Sequence, residues 1–184
     1  MGLTIAVSGL HGAGTTTVAQ GLAKAFNLRY VSAGMIFRQL AEERGITLTE
    51  LSKIAEENRQ IDQEIDNRTQ KEAERGNVVI DAYIAGWVVR RQADLTFYLR
   101  APLEVRALRI ANRESRNYEE ILKETQIREQ SELSRFREFY GIDVTDTRLF
   151  DIVLNTDGFN AVATINICIA VVKAYLTSSG TTSE

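Results

Sequence analysis

Residues 9–17 read GLHGAGTTT. Gly9 and Gly14 have the spacing of a phosphate-binding loop, G-x-x-x-x-G-K-[ST], whose backbone N–H groups wrap phosphates while a lysine reaches their outer oxygens. The candidate nucleotide-binding set is therefore Gly9, Leu10, His11, Gly12, Ala13, Gly14, Thr15, Thr16 and Thr17. Thr16 can supply the hydroxyl that ligates magnesium, but Thr15 stands where the lysine belongs. Either the match is accidental, the protein is inactive, or another cation does that job.

Negative charge spreads over the phosphates during phosphoryl transfer, so the missing lysine directs attention to arginine. Arg106, Arg109 and Arg113 lie at i, i+3 and i+7 and share one helical face, as do Arg128 and Arg135, seven residues apart. Guanidinium forks bind phosphate bidentately. The plainer alternative is that these are solvated helix faces, with Glu104, Glu114, Glu129 and Glu132 as ion-pair partners.

The elements around these residues alternate. LTIAVS is a short apolar, β-prone run that ends at the glycine loop, and TVAQGLAKAF follows with helical spacing of apolar residues. A second strand is expected at residues 29–31, then helices through IFRQLAEE, TELSKIAEE and residues 60–75. Gly76 and Asn77 stop the last of these before VVID. LTFYL is a further strand, Pro102 opens a helix over LEVRALRIANR, and a longer helix is expected from about Tyr118 to Tyr140. FDIVLNT reads as the final strand, and an apolar helix over residues 159–176 closes the chain. Strands alternating with helices imply a parallel sheet covered on both faces, with ligands at the carboxyl ends of the strands.

The chain has 184 residues, 44% of them hydrophobic and 26% charged, with a single proline, as befits one ordinary globular domain. A net charge of −3 argues against a protein that coats nucleic acid, though not against a phosphorylated ligand in a locally basic pocket. Cys168 is the only cysteine and has no intramolecular partner. With no basic region before the first apolar run, this favours a cytoplasmic location. AVATINICIAVVKAYL is apolar but short and is interrupted by Asn166 and Lys173, so a packed helix is expected there and no membrane span. No obligate protein partner is indicated.

Seven blocks, GLHGAGTTTVA, VSAGMIFRQLAEERG, IDQEIDNRT, GNVVIDAYIAGW, APLEVRALRIANRE, IREQSELSRFREFYGID and FDIVLNT, are similar in the same order to the archaeal type of cytidylate kinase, a nucleoside monophosphate kinase. The resemblance spans roughly residues 3–172. It implies an α/β P-loop NTPase fold, a three-layer sandwich with a five-stranded parallel sheet. A single domain would run over residues 1–176, with a monophosphate-binding insertion at about 32–75, a lid at about 113–128 and a disordered tail from 177. The implied activity is transfer of the γ-phosphoryl of ATP, with Mg²⁺, to CMP or dCMP.

By position, the resemblance assigns loop 9–17 and Arg109 to ATP, and Ser32, Gly34, Arg38, Asp62 and Asp66 to the acceptor side. Arg113, Arg128 and Arg135 resemble lid arginines that act in catalysis with Thr16. Asp81, at the end of VVID, could hold a magnesium-bound water or the nucleotide, or could simply cap a turn. Three residues depart from the pattern: Thr15 at the lysine, Met35 at an aspartate, and Tyr83 where an arginine would grip the acceptor phosphate. The acceptor side then depends on Arg38 and the lid. Two alternatives stand beside this reading, a kinase of the same fold with another acceptor such as AMP or UMP, and a nucleotide-binding regulator with weak or no transfer.

Overall fold

The computed structural model describes residues 2–180. The elements run β1 (Thr4–Gly9), α1 (Thr15–Ala25), β2 (Arg29–Ser32), α2 (Ala33–Glu43), α3 (Leu48–Glu57), α4 (Arg59–Glu74), β3 (Val78–Asp81), α5 (Ala85–Val88), β4 (Leu95–Arg100), α6 (Leu103–Glu114), α7 (Tyr118–Tyr140), β5 (Ile152–Asn155) and α8 (Ala161–Ser178). The five strands form one sheet in the order β2-β3-β1-β4-β5, and every pairing is parallel. With β1 at its centre, the loop after β1 emerges between the carboxyl ends of β3 and β4.

Successive side chains of a strand face opposite sides of the sheet. Ile5 and Val7 accordingly join Leu22, Val79, Phe97, Leu99, Cys168 and Val172 in the larger core, under α1 and α8. Ala6 joins Val78, Ile80, Ala85 and Val89 on the other face. Two smaller apolar clusters stand apart. Leu40, Ala41, Leu51, Ala55 and Ile61 form one within the α2–α4 excursion. Ala107, Ile110, Ala111 and Ile121 form the other, where α6 and α7 pack as a hairpin.

The signals that end the helices are local and act as the sequence implies. Gly76 and Asn77 both take positive φ after α4, and Gly141 takes the left-handed position after α7. Asn117 opens α7 by accepting from the backbone N–H groups of Glu119 and Glu120. The expected strand FDIVLNT is shorter than its apolar run. Phe150 turns into a cluster with Trp87 and Tyr98, and Asp151 accepts from the backbone N–H and hydroxyl of Thr96. Both residues are thereby taken out of the strand.

The last helix starts at Ala161 because Asn160 caps it, accepting from Ala163 N at 2.9 Å. It continues to Ser178, two residues past its expected end, so the first part of the expected tail is helical. Residues 181–184 of that tail lie outside the described residues. By length and composition alone α8 could cross a membrane. Its Cys168 and Val172 are nonetheless in the core with α1.

Candidate active site

The loop between β1 and α1 needs glycine where the backbone passes close to its neighbours. A Cβ on Gly9 would sit 2.3 Å from the carbonyl oxygen of Leu99, and one on Gly12 would sit 2.6 Å from that of Arg106. Gly12 also has φ +79°, which side chains other than glycine rarely adopt. Gly14 is the N-cap of α1 and offers no side-chain cap, and no acidic residue stands in the first turn. The first amides of a helix have no internal acceptor and carry the positive end of its dipole. Loop 9–17 is thus shaped to receive an anion.

Thr16 Oγ1 donates to Asp81 Oδ2 at 2.8 Å, and the phenol of Tyr30 donates to the same oxygen at 2.9 Å. Parallel register sets this contact, since Val7 and Ser32 both align with Asp81 at the carboxyl ends of β1, β2 and β3. Asp81 is 7% exposed. Burial, and then the Asp81 carboxylate, push the Tyr30 phenol pKa up, which keeps it a donor. A hydroxyl and a carboxylate this close suit Mg²⁺, which takes one or two protein oxygens and completes its shell with waters and phosphate oxygens. Among the described residues no group of three or more His, Cys, Asp or Glu could hold a metal by itself.

Behind the loop, α6 and α7 hold it rigidly. Arg106 is 3% exposed and donates to the carbonyls of Ala101 and His11, while both of its terminal nitrogens meet the Glu129 carboxylate. Arg109 donates to Thr156 through its hydroxyl and carbonyl oxygens at 2.8 and 2.7 Å and reaches toward Gly12 O at 3.4 Å. His11 Nε2 lies 2.7 Å from Glu132 Oε2, and the edge of its ring meets Tyr83 with centroids 5.3 Å apart. Burial opposes ionisation of Glu132. The His11 contact and the nearby Arg128 outweigh it, so the carboxyl pKa lies below its ordinary value.

The residues expected on the acceptor side lie where the α2–α4 excursion faces α7. Ser32 caps α2, its Oγ accepting from Met35 N at 3.1 Å, and Arg38 is exposed beside it with no ion pair among the described residues. Its guanidinium passes Gly34, where an added Cβ would lie 3.6 Å from Nη1. Across the cleft Arg135 Nε lies 4.0 Å from Asp62 Oδ2. Both atoms, and the Tyr83 hydroxyl, are buried without a hydrogen-bond partner among the described residues. The Tyr83 ring packs on Phe136 of α7, with centroids 5.1 Å apart.

Burial pushes the Asp62 carboxyl above its usual pKa despite Arg135. Burial also lifts Asp66 to about 6, helped by Asp62 and opposed by a hydrogen bond with Tyr140. A folded-state pKa above the unfolded one stabilises the fold at low pH, and that contribution is lost as pH rises through about 6. Asp66→Asn, which keeps an acceptor for Tyr140, is therefore expected to stabilise the protein at pH 7.5 by about 1–2 kcal/mol. The advantage should vanish below about pH 4. Urea titrations of both proteins at the two pH values check this, and an equal difference at both would refute it.

The arginines that share a helical face do not converge. Arg106 and Arg109 brace the loop, and Arg135 enters the cleft. Arg113 (69% exposed) pairs with its neighbour Glu114, and Arg128 (64% exposed) pairs with Glu132. Trp87 packs on Tyr98 and Phe150, and Cys168 is core. Tyr30, Thr156 and Tyr140 do not stand out in the sequence, and Glu129 and Glu132 enter it only in the plainer alternative, as ion-pair partners on solvated helix faces. One signal for the last two was available. Thr125, Glu129, Glu132, Phe136 and Tyr140 recur at helical spacing, which puts two carboxylates on the buried stripe of α7.

Comparison with known proteins agrees with this geometry. The sequence profile of the cytidylate kinase-like family matches residues 4–158. A protein named cytidylate kinase from Staphylothermus marinus is 45% identical over 174 residues, covering 95% of this chain and 98% of its own. One of the same name from Ignicoccus hospitalis is 49% identical over 152 residues, covering 83% and 88%. Among solved structures, shikimate kinase from Bacteroides thetaiotaomicron superposes with a TM-score of 0.63 at 18% identity, covering 93% of this chain and 98% of its own. A gluconokinase from Sinorhizobium meliloti superposes with 0.64 at 12%, covering 98% of each chain. These two share the α/β P-loop kinase fold. With a glycine loop on the central strand, a paired hydroxyl and carboxylate beside it and this degree of identity, the chain belongs to the cytidylate kinase-like family.

Proposed function

We propose that the protein transfers the γ-phosphoryl group of ATP to CMP and dCMP in the cytoplasm. One observation carries the reading. Beside the anion-receiving loop lies a cleft in which Asp62 Oδ2, Tyr83 OH and Arg135 Nε are buried with no hydrogen-bond partner among the described residues. An unsatisfied buried polar group costs about 1–3 kcal/mol, so three of them in one cleft suit a polar ligand. The relatives named cytidylate kinase supply the identity of that ligand.

In this reading the amides of loop 9–17 hold the ATP phosphates, and Thr16 and Asp81 hold Mg²⁺, which would neutralise charge on the β- and γ-phosphates. Residues 32–75 form the acceptor-binding insertion, in which Ser32, Gly34, Arg38, Asp62 and Asp66 meet CMP, with Tyr83 from the β3 end. Residues 113–128 form the lid, and Arg113, Arg128 and Arg135 supply the cations over the transferred group. No protein base is needed, because the attacking phosphate oxygen is already largely ionised, its second pKa being about 6. Positioning and charge stabilisation in a site closed to water then carry the reaction. A coupled assay with Mg-ATP and CMP, dCMP, UMP and AMP tests this. Turnover is expected with the two cytidine nucleotides. ATP binding with no turnover on any acceptor overturns the proposal, and faster turnover on UMP or AMP overturns the acceptor.

A further inference from the structure

Glu132 poses a problem of charge. Its side chain is 15% exposed and lies beside a loop shaped for phosphates, where a carboxylate repels the ligand unless it organises cations. It does meet two positively polarised groups. One oxygen lies 2.7 Å from His11 Nε2, inside the loop, and the other accepts from Arg128 Nε at 3.0 Å. That second contact uses only the inner nitrogen of the guanidinium. The terminal nitrogens of Arg128, the pair that forms a bidentate fork on phosphate, have no hydrogen-bond or ion-pair partner among the described residues. An exposed arginine loses rotamer entropy on being fixed, and a tether at Nε removes part of that loss before any ligand arrives.

The surroundings keep the tether in place. Glu129, one turn before Glu132 on α7, holds Arg106, and Arg106 donates to the carbonyl of His11. The Tyr83 ring closes on the His11 imidazole, and Phe136 backs Tyr83. His11 is thus fixed at its backbone and at its ring by residues on one face of α7, with Arg135 and Asp62 beyond them across the cleft.

We propose that Glu132 is a positioning residue: anchored to the phosphate loop through His11, it holds Arg128 by Nε so that its two terminal nitrogens are presented to the transferred phosphoryl group. The inference rests on the reading of Arg128 as a cation for that group. It gives the loop that lacks lysine a positive charge that is tethered to it, and it gives His11 a role for its ring in addition to its backbone.

The test is a double-mutant cycle on the full-length protein, measuring kcat and KM with Mg-ATP and CMP for wild type, Glu132→Gln, Arg128→Ala and the double variant. Glu132→Gln should lower kcat roughly tenfold with KM for CMP changed less than about twofold, and should cost nothing further once Arg128 is alanine. His11→Phe should lose roughly tenfold more kcat than His11→Gln, whose amide still donates to Glu132. An equal loss from Glu132→Gln in both backgrounds, as a purely structural role or a folding defect would give, overturns the inference. So does unchanged or faster turnover of Glu132→Gln, the mark of a residue that sequesters Arg128, and so do equal losses from the two His11 variants. Arg128→Ala with wild-type kcat is a different result, because it removes the underlying reading of Arg128 as well.

Discussion

Glu129→Ala should destabilise the protein by about 3–5 kcal/mol, seen as a large fall in the urea midpoint. The reason is the burial of its partner. The Arg106 and Glu129 side chains are only 4% and 10% exposed, and the guanidinium has no other anionic partner among the described residues. Truncating Glu129 leaves a full positive charge in the interior with two carbonyls, of Ala101 and His11, as its remaining acceptors. Replacing both members of the pair by apolar residues, as in Arg106→Met with Glu129→Leu, should cost less than the single change because no charge is then stranded. A Glu129→Ala protein within about 1 kcal/mol of wild type would show that the pair is solvated in solution. Glu129→Ala should also weaken ATP binding, since the carbonyl of His11 is held through Arg106.

Arg128→Ala should have the opposite signature. Its ion pair with Glu132 is exposed on the arginine side, so stability should change by no more than about 0.5 kcal/mol. Its kcat should fall by about 10²- to 10³-fold. A single arginine in a phosphoryl-transfer site can be worth about 10³–10⁵, and in the proposed reading Arg113 and Arg135 share the task. Adding Thr15→Lys to Arg128→Ala should recover on the order of tenfold, because it returns a cation to the loop itself. Steady-state kinetics beside a melting curve decide the matter. A loss of stability matching the loss of rate would make Arg128 a structural residue, and an unchanged kcat would leave the loop without its compensating charge.

How much of this was legible beforehand depends on whether the cause is local. The β1–loop–α1 unit is written in consecutive residues, a short continuous apolar run, two glycines and then apolar residues at helical spacing. The bounds of α7 follow from Asn117 and Gly141, which cap it through contacts within one turn. The fates of Arg106, Arg109 and Arg113 are not local. Helical spacing puts them on one face, but each advance along the axis meets a different neighbour: Glu129 from α7, Thr156 after β5, then solvent. Tyr30 and Asp81 are 51 residues apart and meet only because β2 and β3 pair in parallel register. Glu132 is a charged residue in a charged helix, and only tertiary packing distinguishes its inward position from the outward ones around it.

The two small apolar clusters outside the sheet have a mechanical consequence. The α2–α4 excursion seals Leu40, Leu51 and Ile61 inside itself, and the α6–α7 hairpin does the same with Ala107, Ile110 and Ile121. Each therefore keeps its own apolar interior closed independently of the sheet. What ties the hairpin to the glycine loop is instead a handful of contacts at its edge, the Tyr83–Phe136 ring pair and the bonds of Arg106 and Arg109 to loop carbonyls, so its attachment depends on few side chains and not on a shared oily core.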